Sequence, residues 1–128
     1  MKVSDLKFED FETEITIPEE TNEITLVISD GLDSAYELLS REFKDRIVNF
    51  INNSASWYPI AHERINQEFS SSIDSKLLSV YILSEMSDST LIFGLEYHIE
   101  EDREHGRGIK ITENMEIIEY GLGDVAIC

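Results

Sequence analysis

The sequence predicts an α+β fold, a mostly antiparallel sheet covered on one face by two helices. Three observations carry this. Apolar residues recur at a spacing of two towards both ends of the chain, and at spacings of three and four in between. Clusters of Gly, Asn, Asp and Pro punctuate the runs. The helical stretch is segregated between groups of strands, which is the order of an α+β domain and not of alternating βαβ units.

Taken in order, residues 11–17 alternate. Phe11, Ile15 and Ile17 share one face, while Glu12, Glu14 and Thr16 share the other, so a half-buried strand with an acidic outer face is expected. Pro18 to Asn22 makes a turn, and Ile24, Leu26 and Ile28 form the second strand of a hairpin. Asp30 to Asp33 stops that strand and starts a helix, with Asp33 as N-cap and Glu37 near the first turn. Ala35, Tyr36, Leu39, Phe43, Ile47, Phe50 and Ile51 make one apolar face, which predicts a helix over 33–53. Asn52 to Ser54 breaks it. Ser56 caps a second helix over 56–70, with Pro59 in its first turn and Trp57, Ile60, Ala61, Ile65 and Phe69 as its stripe.

Leu77 to Ser84 reads as a strand apolar enough for cover on both faces. Glu85 to Ser89 turns the chain. Thr90 to Glu100 is the longest strand. Leu91, Phe93, Leu95, Tyr97 and Ile99 share one of its faces, and Ile92, Gly94, Glu96, His98 and Glu100 the other. Glu101 to His105 is an acidic turn. Gly108 to Thr112 then pairs with Met115 to Tyr120 across Glu113 and Asn114, and Asp124 to Ile127 forms a last short strand.

At 128 residues the chain reads as a single domain, 1–128, able to bury a core without disulfide or metal. Its formal net charge is -17. Residues 1–30 carry -7, residues 31–76 carry -2 and residues 77–128 carry -8. The acid therefore belongs to the strand-rich ends. Such a field repels nucleic acid and steers a basic protein inward, or serves as a solubility surface. Numerous periodic apolar residues exclude disorder. Cys128, the lone cysteine, fits a reducing compartment. The first residues lack a signal-peptide core, and no apolar run approaches the ~20 residues that span a bilayer. A cytoplasmic monomer or weak dimer, with no membrane partner, is expected.

The compact polar cluster is His98, Glu100, Glu101, Asp102, Glu104 and His105. Imidazole and carboxylate suit zinc, manganese or iron, so a metal-dependent enzyme using His98 and His105 is one reading. The spacing matches no recognised metal motif, and a solvated acidic turn is the preferred reading. His105 with Asp102 or Glu104 lacks a companion nucleophile. His105-Gly106-Arg107-Gly108 lacks the lysine and the strand-to-helix setting of a phosphate loop. No catalytic residue, no metal and no cofactor are therefore expected. Trp57, Tyr58 and Phe50 read as core, or, if exposed, as interface anchors.

Asp102-Arg-Glu-His-Gly-Arg-Gly108 has the form D-x-E-H-G-x-G. It leads into two strands and a closing G-x-x-D-V-A at Gly121 to Ala126. Over residues 91–127 this resembles an uncharacterised bacterial domain family in which such a C-terminal module recurs. Small acidic members of that kind are immunity proteins encoded beside polymorphic or contact-dependent growth-inhibition toxins. The resemblance implies a partner: a cognate basic toxin domain, most plausibly a nuclease, covered at its active site. The expected partner-binding residues are Glu96, His98, Glu100, Glu101, Asp102, Glu104, His105, Glu116 and Glu119. The alternative is a peptide- or protein-binding module that adds a strand at a poorly guarded sheet edge.

Overall fold

Alternating side chains and turn chemistry build six strands into one sheet, in the order β1-β2-β3-β4-β5-β6. The strands are β1 (Glu12–Ile15), β2 (Ile24–Ile28), β3 (Ser75–Ile82), β4 (Ile92–Ile99), β5 (Arg107–Thr112) and β6 (Ile117–Gly121). Two helices, α1 (Arg41–Asn52) and α2 (Ser54–Phe69), lie between β2 and β3. The computed structural model describes residues 2, 5–28, 41–83 and 90–127. The expectations for residues 30–39, for the turn at 85–89 and for Cys128 lie outside the described residues. Neighbouring strands pair antiparallel except β2 and β3, which are parallel. Parallel neighbours need a long crossover, and the helical segment supplies it. The fold is the predicted α+β one.

The core is the apolar face of this sheet. Ile24, Leu26, Ile28, Phe93, Leu95, Tyr97, Ile99, Ile109 and Ile111 meet Ile47, Phe50, Ile51, Trp57, Ala61 and Ile65 from the helices. Phe50 is its centre. Its ring stacks on Phe93 at 3.8 Å and on Trp57 at 4.9 Å, and its carbonyl accepts the Trp57 indole N–H at 2.8 Å. Phe50 and Trp57 are thus core and not interface anchors; Tyr58 is half-buried.

Four expectations need correction. The strand expected over Leu77 to Ser84, described as far as Leu83, faces the core on one side, and its other face is exposed at Leu78 and half-buried at Ser79 and Tyr81. A β-bulge between Leu77 and Ser79 shifts the phase, so Leu77, Val80 and Ile82 all point inward while Leu78 is exposed. Phe11 does not share the buried face with Ile15 and Ile17. Asp10 and Phe11 adopt left-handed backbone (φ 52° and 67°) in the turn before β1, which leaves Phe11 51% exposed. The second helix starts at Ser54, not after Ser56, and the Ser54 hydroxyl donates to Glu19 (2.6 Å) in the β1–β2 loop. Pro59 is consequently inside the helix, past its first turn. Lastly, Asp124 to Ile127 is not a strand. Gly123–Ala126 forms a 3-10 turn that lies on the outer face of the sheet.

The glycines explain that last placement. A Cβ on Gly94 would sit 1.8 Å from the Ala126 carbonyl oxygen, and one on Gly108 would sit 2.7 Å from that of Leu122. The turn can reach the backbone of β4 and β5 only because these positions have no side chain.

Candidate functional site

Strand register places the polar side chains of the outer face. Glu12 and Glu14 stand on β1, Thr25 and Val27 on β2, Ser79 and Tyr81 on β3, Glu96 and His98 on β4, Lys110 on β5 and Glu119 on β6. Thr25 donates to Glu14 (3.2 Å), Tyr81 donates to Glu96 (3.3 Å) and Lys110 bridges Glu119 (3.2 Å). Burial, reinforced by Glu96, raises the Tyr81 pKa. The acidic ends of the chain thus form the two edges of one sheet, roughly 24 Å apart at ~4.8 Å per strand.

The D-x-E-H-G-x-G residues occupy the β4–β5 connection. A 3-10 turn over Glu100–Asp102 begins it. The Asp102 carboxylate accepts the His105 backbone N–H (3.2 Å) and lies 3.1 Å from His105 Nδ1, and the Asp102 carbonyl accepts the Gly106 N–H (2.9 Å). Gly106 is left-handed (φ 61°), and a Cβ there would meet the Tyr97 carbonyl oxygen at 2.3 Å. Glu100 is paired with His98 (3.2 Å) and Arg103 (2.6 Å), and its pKa is lowered, chiefly by His98.

Arg107 is the hub. Its side chain is only 10% exposed. It donates two parallel bonds to Glu68 at the end of α2 (2.8 Å each), one to Asp102 (2.8 Å) and one to the Gly106 carbonyl (2.6 Å). The guanidinium fork matches a carboxylate in this way. Glu68 also accepts the Tyr120 hydroxyl, and Arg64 lies over the Tyr120 ring at 4.1 Å. The Arg107 bonds pull the Glu68 pKa down to about 2 and hold the Asp102 carboxyl below its usual range. Burial and Glu68 push Tyr120 up to about 12.

The expected binding residues therefore fall into three places. His98, Glu100, Glu101, Asp102, Glu104 and His105 come together at the β4–β5 end. Glu96 and Glu119 lie on the outer face. Glu116 lies at the opposite end of β5, where its carbonyl accepts the Thr112 N–H (2.9 Å). Asp102 is turned inward to Arg107 and serves the fold. Arg107, Glu68 and Tyr120 were not singled out from sequence. The Arg107–Glu68 pair spans 39 positions and the Tyr120–Glu68 pair 52, so no local pattern could reveal them.

Ser75 Oγ lies 3.3 Å from both ring nitrogens of His62, and Ser75 is buried. Burial lowers the His62 pKa. The buried Tyr97 hydroxyl has no hydrogen-bond partner among the described residues, and burial raises its pKa well above the usual value. Among the described residues no three His, Cys, Asp or Glu side chains are grouped to hold a metal ion, and no helix is long and apolar enough to cross a membrane.

Fold and surface together define an acidic, open-faced α+β sheet protein. No family model, no curated protein and no solved structure matches this chain.

Proposed function

We propose that this protein binds and neutralises a basic protein, and specifically that it acts as the immunity protein of a cognate basic toxin, with a nuclease as the fitting class. The observation that carries the reading is the excess of exposed carboxylate. Arg107, Arg46 and Lys110 are tied to Glu68 and Asp102, Glu113 and Glu119, and exposed Glu12, Glu14, Glu101 and Glu104 project from a chain of net charge -17. Lys2, Lys7, Lys76 and Arg103 are exposed as well, and the exposed anions outnumber them.

A nuclease carries a basic active-site surface because it must hold phosphates. An acidic sheet can cover that surface and associate fast, in the ~10⁸ M⁻¹s⁻¹ range at low salt. Binding in the cytoplasm, where such a toxin meets nucleic acid, needs neither cofactor nor metal on this side.

The test uses the toxic protein encoded beside this one. Changing Glu100, Glu101 and Glu104 to lysine is expected to slow association about tenfold at low salt, with the difference fading as the Debye length shortens to ~3 Å at 1 M. Asp102 is left intact, because it holds Arg107. Protection of cells expressing the toxin should weaken in parallel. The reading fails if the toxin kills equally well with the protein present, or if the purified pair does not bind at low salt.

A further inference from the structure

We infer that β6 is the docking edge, and that its occupant is an extended, cationic segment of the partner, added antiparallel or parallel as a seventh strand. This rests on the basic-partner reading above and specifies where the contact is made. The two sheet edges differ in how much of their backbone is spoken for. At β1, Glu12 donates its N–H to Glu9 (3.1 Å) and accepts the Glu9 N–H (2.8 Å), so a turn of the chain itself occupies that edge at Glu12, and among the described residues only the Glu14 end of β1 stays open. At β6, among the described residues, no backbone bond beyond the β5 ladder satisfies the outward N–H and C=O groups of Ile117–Gly121. Such a row is a template for another strand.

The side chains then select the strand. Ile118 is the extra residue of a β-bulge opposite Lys110 and Ile111 and is 44% exposed; Leu122, 43% exposed, follows β6. Exposed Glu116 and Glu119 flank Ile118. Residues 113–128 contain no Lys, Arg or Pro. Sheet edges are ordinarily guarded by lysine or proline. Here the charged guard is carboxylate, with the bulge at Ile118 beside it. It repels a second copy of this chain, whose net charge is also -17, and admits a strand bearing lysine or arginine. Apolar residues of that strand would meet Ile118 and Leu122, which supply the residence time that charge does not.

The test follows backbone amides by NMR in the full chain at low salt, with two synthetic probes of about eight residues, the usual strand length. One alternates Lys and Val and the other Glu and Val. The Lys-Val peptide is expected to shift and protect Ile117–Gly121, and the Glu-Val peptide to leave them unchanged. Ile118→Lys should weaken the Lys-Val peptide about tenfold, or 1.4 kcal/mol. Because Ile118 is exposed, thermal unfolding should show the fold retained; Glu116→Lys, at an exposed position outside the Lys110–Glu119 pair, provides a second variant that also leaves the core untouched and should weaken the same peptide. Protection at β1 or on the outer face would overturn the β6 proposal while leaving the basic-partner reading standing. Absence of any Lys-Val binding at low salt also overturns it. Failure of the toxin itself to bind, by contrast, sinks both.

Discussion

Replacing Arg107 by methionine is expected to lower stability at pH 7 by about 2–3 kcal/mol. Breaking a well-buried ion pair by deleting one partner costs about 3–5 kcal/mol. The lower figure applies because the Glu68 side chain is 34% exposed and water screens part of the loss. Methionine keeps the apolar bulk of the stem but leaves Glu68 and Asp102 facing each other without their cation. The pH profile identifies the cause. Glu68 has a folded pKa of about 2 against an ordinary 4.5, so it is depressed on folding. A depressed carboxyl contributes stability that is fully present above its unfolded pKa and is lost as pH falls through the folded one. The native protein should therefore lose this contribution between about pH 4.5 and 2. In Arg107→Met the loss over that window should be smaller, because the main depressing bond is gone. Urea unfolding of both proteins at pH 7 and pH 3 measures the two effects. A variant within about 0.5 kcal/mol of the native protein at pH 7, the range of an ordinary surface change, would show that the hub contributes nothing.

Gly94→Val is expected to cost about 3 kcal/mol or more. Its Cβ would fall 1.8 Å from the Ala126 carbonyl oxygen and 2.6 Å from the carbonyl carbon, and backbone cannot rotate aside as a side chain can. The 3-10 turn must lift from the sheet, uncovering Ala126, which is buried in the native fold. Gly121→Ala is the control. Its Cβ would meet only the Val125 side chain, at 2.8 Å, so a cost of about 1 kcal/mol or less is expected. Denaturant unfolding gives the sizes. Hydrogen exchange at Gly123, whose N–H donates to the His105 carbonyl (3.0 Å), reports whether the turn has lifted. Equal effects for the two variants would remove the argument from backbone contact.

The same glycines bear on the sequence motif. In D-x-E-H-G-x-G and the closing G-x-x-D-V-A, Asp102 holds Arg107 and His105, Gly106 turns left-handed under the Tyr97 carbonyl, and Gly108 and Gly123 let two backbones touch. The motif describes how the β4–β5 connection and the C-terminal turn are built. The frame holds Glu101 and Glu104 outward, where they are exposed, and the proposed binding falls to residues of that kind.

Much of the fold was legible in local pattern. The period of two in Ile24, Leu26 and Ile28 and in Leu91 to Ile99 marks faces that are buried in the structure. The helical period around Ile47, Phe50 and Ile51 marks the face that covers them. These readings hold because burying one face is the largest local demand on a strand or helix, and that demand is written in residues a few positions apart. The misreading of Leu77 to Ser79 has a physical cause: a single extra residue changes the phase, and phase is set by pairing with another strand.

By itself, then, the sequence determined the class of fold, the two-helix segment and the strongly negative charge, since each is a sum or a short-range period. Only the tertiary structure decided the parallel pairing of β2 with β3, the Arg107 hub that joins α2 to β5, and the docking of Gly123–Ala126 on the sheet. It also decided which edge keeps more of its backbone groups unpaired. Those outcomes depend on groups 39 or more positions apart in the hub, and on where separate strands come to rest, and the free energy of such contacts exists only once the chain between them has closed.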